Sequence, residues 1–382
     1  MKRLACIGTE YRTNSHVDVI LTKFLEGCVV KAPLGGPDEV FAPQVGVASL
    51  YLDQFPEREL GRAMAAKHNV PLFDTVAGAL TLGTGRLAVD GVLVIGEHGN
   101  YPFNERGQHL YPQRRLFGEV MRVFERTGQV APVFNDKHLS YSWEAAKWMY
   151  DTARRLRVPF MAGSSVPLAW RTRPLEVPIG ANFEAALALG YGGLESYGFH
   201  TLEMLQAMIE RRAGGEHGVR AVSLLHGEAV WRAGDRGVWS WDLLAAGLGC
   251  QLQPPARITD LRAEAPKRAI DPYAIVIEHR DRLRSVALML NGLNHEFIFA
   301  AKLAGESRPH ATQFWLQEPQ PFGHFARLDR AIEQMILTGK PTYPVERTLL
   351  TSGVLARVME SKFVGHRRLE TPELRLSYQA FR

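Results

Sequence analysis

The chain has few cysteines and no long apolar run. Its three cysteines, Cys6, Cys28 and Cys250, lie far apart and form no CxxC pair. A disulfide framework or a structural zinc site needs several cysteines at characteristic spacing, so the sequence argues against both. No apolar run approaches the roughly 20 residues that span a bilayer, and the basic start of the chain does not lead into the apolar region of a secretory signal. We therefore expect a cytoplasmic protein with no membrane contact.

The chain also lacks a strong charge of either sign. Its 45 Lys and Arg residues exceed its 40 Asp and Glu residues by only 5, and the basic residues are scattered. No basic stripe is interleaved with stacking aromatics, so we expect no nucleic-acid partner. The mild basic excess suits an anionic ligand or cofactor. A chain of 382 residues is too long for one ordinary hydrophobic core, so two domains are expected.

The first 165 residues alternate between strand-like and helix-like segments. Near-continuous apolar strands that alternate with amphipathic helices predict a parallel sheet covered on both faces. The predicted strands are 4–8, 46–52, 89–95, 130–134 and 158–162, and the predicted helices are 15–26, 56–68, 113–126 and 140–156. Residues 27–44 are rich in glycine and proline and are predicted to be a loop insertion.

The pattern changes at about residue 166, where strand-like runs begin to follow one another with turns between them. The predicted strands there include 221–226, 274–278, 285–291 and 312–316, and the predicted helices are 200–212, 326–338 and 345–363. The predicted fold class is therefore α/β, with an N-terminal Rossmann-like, doubly wound parallel sheet followed by an α+β domain with a largely antiparallel, open sheet. The predicted boundary divides the chain into residues 1–165 and residues 166–382.

The turn after the first predicted strand resembles a degraded dinucleotide fingerprint. Gly8 supplies its first glycine, whereas Glu10 and Thr13 occupy the places of the other two. A helix N-terminus still attracts phosphate, and Arg12 can offset the charge of Glu10. Asp53 ends the second predicted strand, where an acidic residue binds the ribose hydroxyls of an adenosine. Capping the next helix is an equally good explanation for Asp53.

Two further predicted strands end in residues that suit acid–base chemistry. Lys137 and Asp136 follow the strand 130–134, and Glu97 and His98 follow the strand 89–95. Ligands bind at the carboxyl ends of strands in open α/β sheets. A lysine there can hold a substrate oxygen and exchange protons with it, and a histidine can relay protons near neutral pH. The alternative for both segments is a solvated polar loop.

A third cluster lies at the predicted helix 200–212. His200 opens this helix, and Glu203 lies one turn further on, where it can orient the imidazole. Gly198 allows close approach of the backbone. A lone histidine is more often structural, but in one cleft with Lys137 it becomes an acid–base candidate.

In order and spacing, these motifs resemble the Gfo/Idh/MocA oxidoreductases, the family of glucose–fructose oxidoreductase and inositol dehydrogenase. LACIGTEYRTNSH resembles the opening turn, with His16 at the histidine that often ends this motif. The other matching segments are DGVLVIGEHG (the strand ending near the nicotinamide), PVFNDKHLSYSWEAAKWMYDTARRLRVPFMAG (the EKP strand and following helix), GGLESYGFHTLE (the DxGxHxxD segment) and TGKPTYPVERTLLTSGVLARVMESKFVGHRRLE (the C-terminal helix).

The resemblance implies that residues 1–165 bind a dinucleotide and that residues 166–382 bind the substrate and form the oligomer, and it implies specific roles for single residues. It assigns Lys137 to the catalytic lysine, His200 to the catalytic histidine and Glu203 to the last acid of its motif. The chain departs from the family where EKP has become Asp-Lys-His, where Ser196 replaces the first Asp of DxGxHxxD, and where two fingerprint glycines are missing. These departures bear on the cofactor and the reaction more than on the fold.

The leading hypothesis is an oxidoreductase that transfers a hydride between a nicotinamide cofactor and a sugar-like, cyclitol or hydroxy-acid substrate. The resemblance implies NAD or NADP, and Asp53 favours NAD because it would repel the 2′-phosphate of NADP. The candidate catalytic residues are Lys137, His200, His98 and Asp136, and the candidate cofactor-binding residues are Gly8, Thr9, Arg12, Thr13, Asp53 and Glu97.

Two other hypotheses stay open. The density of histidines and carboxylates suits a divalent metal, which would fit a non-redox lyase or hydrolase on the same scaffold. The missing glycines would fit a catalytically inactive binding protein, although this leaves Lys137 and His200 unexplained.

The sequence also suggests a homodimer or homotetramer. The strands 285–291 and 312–316 carry the apolar residues Val286, Leu288, Leu290, Phe314 and Leu316. With helices predicted on one face of this sheet, the other face is expected to pair with a second subunit, as the resemblance to the family also implies.

Overall fold

The computed structural model describes residues 1–256, 258–317 and 320–381. The chain forms two compact units. Unit 1 comprises Met1–Asn104, His109–Leu168 and Leu316–Leu349, and unit 2 comprises Glu105–Gln108, Ala169–Trp315 and Leu350–Arg382. Within the described ranges, no helix is both long enough and apolar enough to cross a membrane.

Strands and helices alternate in the first part of the chain and are grouped in the second. The strands are β1 (Lys2–Gly8), β2 (Cys28–Val30), β3 (Glu39–Phe41), β4 (Val45–Leu52), β5 (Gly91–Ile95), β6 (Val133–Asp136), β7 (Phe160–Gly163), β8 (Trp170–Arg171), β9 (Phe183–Gly190), β10 (Val219–His226), β11 (Tyr273–His279), β12 (Arg284–Met289), β13 (Phe297–Leu303), β14 (His310–Trp315) and β15 (Leu369–Glu370). The helices are α1 (His16–Glu26), α2 (Gly61–Lys67), α3 (Val76–Thr81), α4 (Gln113–Thr127), α5 (Trp143–Leu156), α6 (Ser196–Ile209), α7 (Glu228–Asp235), α8 (Trp241–Gly249), α9 (Leu261–Arg268), α10 (Gly323–Thr338) and α11 (Val345–Phe363).

Unit 1 contains the predicted parallel sheet. Its strand order is β4-β1-β5-β6-β7, and every pairing in it is parallel. The strands β5, β6 and β7 are buried along their whole length, as expected when helices cover both faces. Because all five strands run the same way, their carboxyl ends meet at one edge of the sheet.

Two predictions for local structure in unit 1 were wrong. Residues 27–44 are more than a loop, because β2 and β3 pair as a short antiparallel hairpin. The helix predicted from residue 56 begins only at Gly61. The residues before Gly61 instead form a turn, in which the Leu60 amide donates to the Tyr11 carbonyl at 2.6 Å and so ties this segment to the loop after β1.

The segment Leu316–Leu349 belongs to unit 1, although a single division near residue 165 assigned it to the second domain. Its helix α10 packs against α1 and β2. Two ion pairs join α10 to the β2–β3 hairpin, from Arg327 to Glu39 at 2.6 Å and from Arg330 to Glu39 at 2.8 Å. Lys2 also donates to the Ile336 carbonyl at 2.7 Å. These contacts join residues 288 to 334 positions apart, and no local pattern in the sequence records them.

Unit 2 is built on an eight-stranded sheet in the order β15-β10-β11-β12-β9-β13-β14-β8. Only the pairing of β12 with β9 is parallel, and the other pairings are antiparallel. The predicted α+β unit with a largely antiparallel sheet is therefore confirmed. Helix α6 packs on β9, β12 and β13.

The other face of this sheet is also covered, by helices of the same chain. Helix α8 packs on β9, β13 and β14. Val286, Leu288 and Leu290, which were expected to lie on an uncovered face, are buried in one apolar cluster with Trp231, Trp239 and Trp241 from the α7–α8 region. The premise of the assembly prediction was therefore wrong. The covering helices are short and contain Trp and Gly, so their periodicity was not recognised.

Candidate functional site

The strongest cluster of predicted site residues lies where β5 and β6 end. These strands are adjacent and parallel, so the residues that follow them are brought side by side. The Lys137 Nζ lies 3.0 Å from the Glu97 Oε1, and the two side chains are only 5% and 8% exposed. The structure therefore brings together two of the residues selected from the sequence and joins them as a buried ion pair.

Glu97 is held in its charged form by its surroundings. Burial alone would raise the pKa of this carboxyl, but the positive field of Lys137, with a smaller contribution from His16, outweighs burial and lowers it. The second oxygen, Oε2, is buried and has no hydrogen-bond partner among the described residues. A buried carboxylate oxygen that accepts no hydrogen bond lowers the stability of the fold, unless a ligand donates a hydrogen bond to it.

His16 and His98 form a second layer beside this pair. The His16 Nδ1 lies 2.5 Å from the Asp136 Oδ2, and the His16 amide donates to the His98 Nδ1 at 3.2 Å. Burial, reinforced by repulsion from His16, lowers the pKa of His98 to about 3. His98 is therefore a neutral imidazole that accepts at Nδ1 and carries its proton on Nε2.

His16 was not among the predicted site residues, although it contacts Asp136 directly. The signal was present, because His16 ends the opening motif on which the resemblance in the sequence rests. His98 adopts a left-handed backbone conformation, with φ of 70°, which turns the chain sharply after β5. Thr9 joins the end of β1 to the same region, since its hydroxyl donates to the Glu97 carbonyl at 2.7 Å.

The loop between β1 and α1 has the geometry of a tight strand–turn–helix unit. A Cβ on Gly8 would lie 2.7 Å from the Val17 side chain and 3.2 Å from that of Leu52, so glycine is needed where the helix approaches the strand. Glu10, at the second glycine position, is buried and forms an ion pair of 2.5 Å with Arg12. The charge that would repel a pyrophosphate is therefore offset within the loop, as the sequence suggested for Arg12.

The N-terminus of α1 already has partners for several of its amides. Ser15 is the N-cap and accepts from the Asp18 amide, and the Asp18 carboxylate accepts from the Asn14 amide at 2.8 Å. Thr13 is exposed at this end. A phosphate bound there would replace these internal acceptors of the amide hydrogen bonds. It would still be stabilised by the positive end of the helix dipole.

Asp53 lies at the carboxyl end of β4, next to β1 in the sheet, where the sequence predicted it. It accepts hydrogen bonds from the Tyr51 hydroxyl at 2.9 Å and from the Tyr101 hydroxyl at 2.6 Å. Arg115, on α4, forms an ion pair with it at 2.6 Å. Burial would raise the pKa of Asp53, but Tyr101, Arg115 and Tyr51 together lower it. Asp53 does not cap α2, whose N-cap has no side-chain hydrogen bond.

The remaining catalytic candidate, His200, lies in unit 2 on α6 and is partly exposed. Its ring packs edge-on against Tyr197 and Phe297, with centroids 6.0 Å and 5.9 Å away. Glu203, one turn on, is buried and accepts from the Thr351 hydroxyl at 2.8 Å. Among the described residues, no group of three or more His, Cys, Asp or Glu side chains is arranged to hold a metal ion.

Comparisons with known proteins give similarity in structure without similarity in sequence. No protein-family model and no curated protein sequence matches the chain. Among solved structures, GenD2 from gentamicin A biosynthesis, in complex with NAD, is 12% identical with a TM-score of 0.58, over 97% of this chain and 96% of that one. The apo scyllo-inositol dehydrogenase from Lactobacillus casei is 9% identical with a TM-score of 0.57, over 97% and 98% of the two chains.

A third similar structure is an oxidoreductase from Agrobacterium radiobacter in complex with NAD+, L-tartaric acid and magnesium. It is 12% identical with a TM-score of 0.56, over 97% of this chain and 98% of that one. These alignments span both units, and at such identities they establish the fold. The chain has the fold of the Gfo/Idh/MocA oxidoreductases, as the resemblance of its motifs predicted.

Proposed function

We propose that the protein is an NAD(P)-dependent oxidoreductase that acts on a sugar-like, cyclitol or hydroxy-acid substrate. The observation that carries this proposal is the buried ion pair between Lys137 and Glu97 at the ends of two adjacent parallel strands. In open α/β sheets this edge is where ligands bind. A buried charge pair weakens a fold as often as it strengthens it, so its presence there favours a role in chemistry.

Lys137 supplies a fixed positive charge for the reacting oxygen of the substrate. Its ammonium is almost fully removed from water, so a hydrogen bond to a hydroxyl or carbonyl oxygen is stronger there than at the surface. As a substrate alcohol loses a hydride, negative charge develops on its oxygen, and a preorganised cation stabilises that charge. Glu97 keeps the ammonium oriented.

His16, His98 and Asp136 act as positioning residues in this proposal. The hydrogen bond between His16 and Asp136 fixes the end of β6 next to Lys137. The neutral His98 is anchored through its Nδ1 and leaves its Nε2 proton to be donated to a polar ligand group. The resemblance assigns proton transfer to His200, whose imidazole is partly exposed on α6.

The residues present fit a dinucleotide. The tightly packed Gly8 turn, the neutralised Glu10 and the start of α1 would hold the pyrophosphate, and Asp53 would hold the adenosine ribose. The unused Oε2 of Glu97 is a ready acceptor for a polar group of the ligand. A bound nicotinamide would supply the hydride acceptor.

Two similar structures support the class of ligands. GenD2 and the Agrobacterium radiobacter oxidoreductase are complexes with NAD, and the latter also holds L-tartaric acid, a hydroxy acid. The scyllo-inositol dehydrogenase adds a cyclitol to this range. Both the hydroxy acid and the cyclitol carry hydroxyl-bearing carbons, which a hydride acceptor can oxidise.

The test is a turnover screen with matched variants. Inositols, aldoses and hydroxy acids are incubated with NAD or NADP, and reduced nicotinamide is followed by absorbance. Lys137→Met and His200→Ala should each lower turnover roughly 100-fold or more, the scale of one acid–base group. Lys147→Met is the control, because Lys147 is an exposed lysine on α5 paired with Asp151. No binding of either nucleotide to cofactor-free protein would disprove the proposal.

A further inference from the structure

Arg115 is the least expected member of the group around Asp53. It comes from α4, and its guanidinium joins two carboxylates, Asp53 at 2.6 Å and Glu119 at 3.1 Å. It is not part of any motif recognised in the sequence. Its side chain is 44% exposed, so an incoming anion can reach it.

The acceptor capacity of Asp53 is largely occupied. An ionised carboxylate offers about four lone-pair positions. Tyr51 uses one on Oδ1, while Tyr101 and Arg115 both donate to Oδ2. A ribose diol that donates two hydrogen bonds would therefore displace at least one of these donors.

The charge at this position differs from that of a solitary aspartate. A bare carboxylate repels a 2′-phosphate and so excludes NADP. Here Arg115 offsets the charge of Asp53. A guanidinium also matches the oxygens of a phosphate geometrically and can bind them through two parallel hydrogen bonds.

We infer that Arg115 allows the adenosine end of the site to accept a 2′-phosphorylated dinucleotide as well as a plain one. With NAD, the ribose hydroxyls donate to Asp53 in exchange for Tyr101. With NADP, Arg115 turns from Asp53 to the 2′-phosphate, and the tyrosine hydroxyls keep Asp53 satisfied. This inference rests on the proposed function, and it replaces the simple preference for NAD that Asp53 alone predicted.

The experiment measures binding without catalysis. NAD and NADP are titrated calorimetrically into the full chain, as wild type, Arg115→Gln, Asp53→Asn and Arg122→Gln. The last variant is the control, because Arg122 is an exposed arginine on the same helix and its replacement changes the net charge equally. Circular dichroism confirms that each variant is folded.

The wild type should bind both nucleotides with dissociation constants within about tenfold of each other. Arg115→Gln should raise the dissociation constant of NADP at least about tenfold, the scale of a lost charge-assisted hydrogen bond. It should change the dissociation constant of NAD less than about threefold. Asp53→Asn should shift the ratio of the two affinities in favour of NADP, and Arg122→Gln should leave this ratio unchanged.

Three results would overturn the inference, and the last is distinguishable from the first two. If the wild type binds NAD alone, or if Arg115→Gln keeps the NADP-to-NAD ratio of the Arg122→Gln control, Arg115 does not determine selectivity and the proposed function still stands. If the wild type binds neither nucleotide, the proposed function and this inference fail together.

Discussion

At the scale of single residues, Lys137 and Glu97 depend on each other. Each is buried, and each would be an uncompensated charge without its partner. Removing one member of a buried pair is far more damaging than replacing both, because the survivor keeps its desolvation cost. If Lys137 acts in the proposed reaction, its removal should abolish turnover even when Glu97 is also replaced, whereas stability should depend on the match between the two charges.

We therefore predict a non-additive cycle of substitutions at this pair. Glu97→Gln and Lys137→Met should each lower the free energy of unfolding by about 3 kcal/mol, as when a buried pair is broken. The double variant should lose clearly less than the sum, because no unpaired charge remains. Urea unfolding of the four proteins measures this, and strict additivity would show that the two charges do not interact.

Three histidines with lowered pKa values make unit 1 sensitive to acid. Burial lowers the pKa of His98 to about 3, of His138 to about 4 and of His324 to about 3. Each stays neutral in the folded protein while the unfolded chain takes up a proton below its ordinary pKa of 6.5. The unfolded state therefore binds more protons, and stability must fall as the pH falls from about 6.5 towards 4.

The expected slope is up to about 1.4 kcal/mol per pH unit for each histidine. His324→Gln should remove one such contribution, so its stability should fall less steeply between pH 6.5 and 4.5 than that of the wild type. His295→Gln is the control, since His295 is exposed. Urea unfolding at a series of pH values gives the slopes, and equal slopes for wild type and His324→Gln would contradict the assignment.

At the scale of elements, sequence patterns predicted long segments well and short ones poorly. The helices α4 and α5 and the core strands were found within a few residues of their true bounds, because each carries several turns or a full apolar run. The hairpin β2–β3 and the helices α7 to α9 were missed. A helix of eight or nine residues has about two turns and depends on tertiary packing for its stability, so its own sequence carries little signal.

The short covering helices provide a sharp test of that packing. A Cβ added at Gly234 in α7 would lie 2.5 Å from the Trp239 ring, whereas a Cβ at Gly249 in α8 would meet nothing within 4 Å. Gly234→Ala should destabilise the protein by about 1–3 kcal/mol through overpacking. Gly249→Ala should be neutral or stabilise it by up to about 1 kcal/mol, because alanine favours a helix. Thermal unfolding of both variants measures this, and stabilisation by Gly234→Ala would mean that Trp239 does not pack there.

At the scale of the whole molecule, the site was partly predictable for a definite physical reason. Lys137, Asp136, Glu97 and His98 follow neighbouring strands of a parallel sheet, so strand order alone brings them together. His16 contacts Asp136 from α1 and Arg115 contacts Asp53 from α4, and the directions of these two side chains depend on packing that the sequence does not record locally. The return of Leu316–Leu349 to unit 1 is a long-range feature of the same kind.

The state of assembly follows from what covers the sheet of unit 2. A dimer was expected because one face of this sheet was thought to lack helices. In the structure Val286, Leu288 and Leu290 are at most 1% exposed in the single chain, within the cluster that contains Trp231, Trp239 and Trp241. The Trp239 indole also donates to the Val230 carbonyl at 2.9 Å, which fixes the covering segment. Pairing through this face would require removal of α7 and α8, at the cost of that buried apolar surface.

We therefore predict that the protein does not pair through this face of the sheet. Light scattering coupled to size exclusion gives the oligomeric state, and a mass above the 42.7 kDa of one chain would mean that the subunits pair through another surface. Hydrogen exchange provides the second measurement, because the amides of β9, β12 and β13 should be protected to the same degree at low and high protein concentration. The prediction would be contradicted if a dimer formed and these amides exchanged faster when it dissociated on dilution. That result would show that a partner subunit displaces the covering helices.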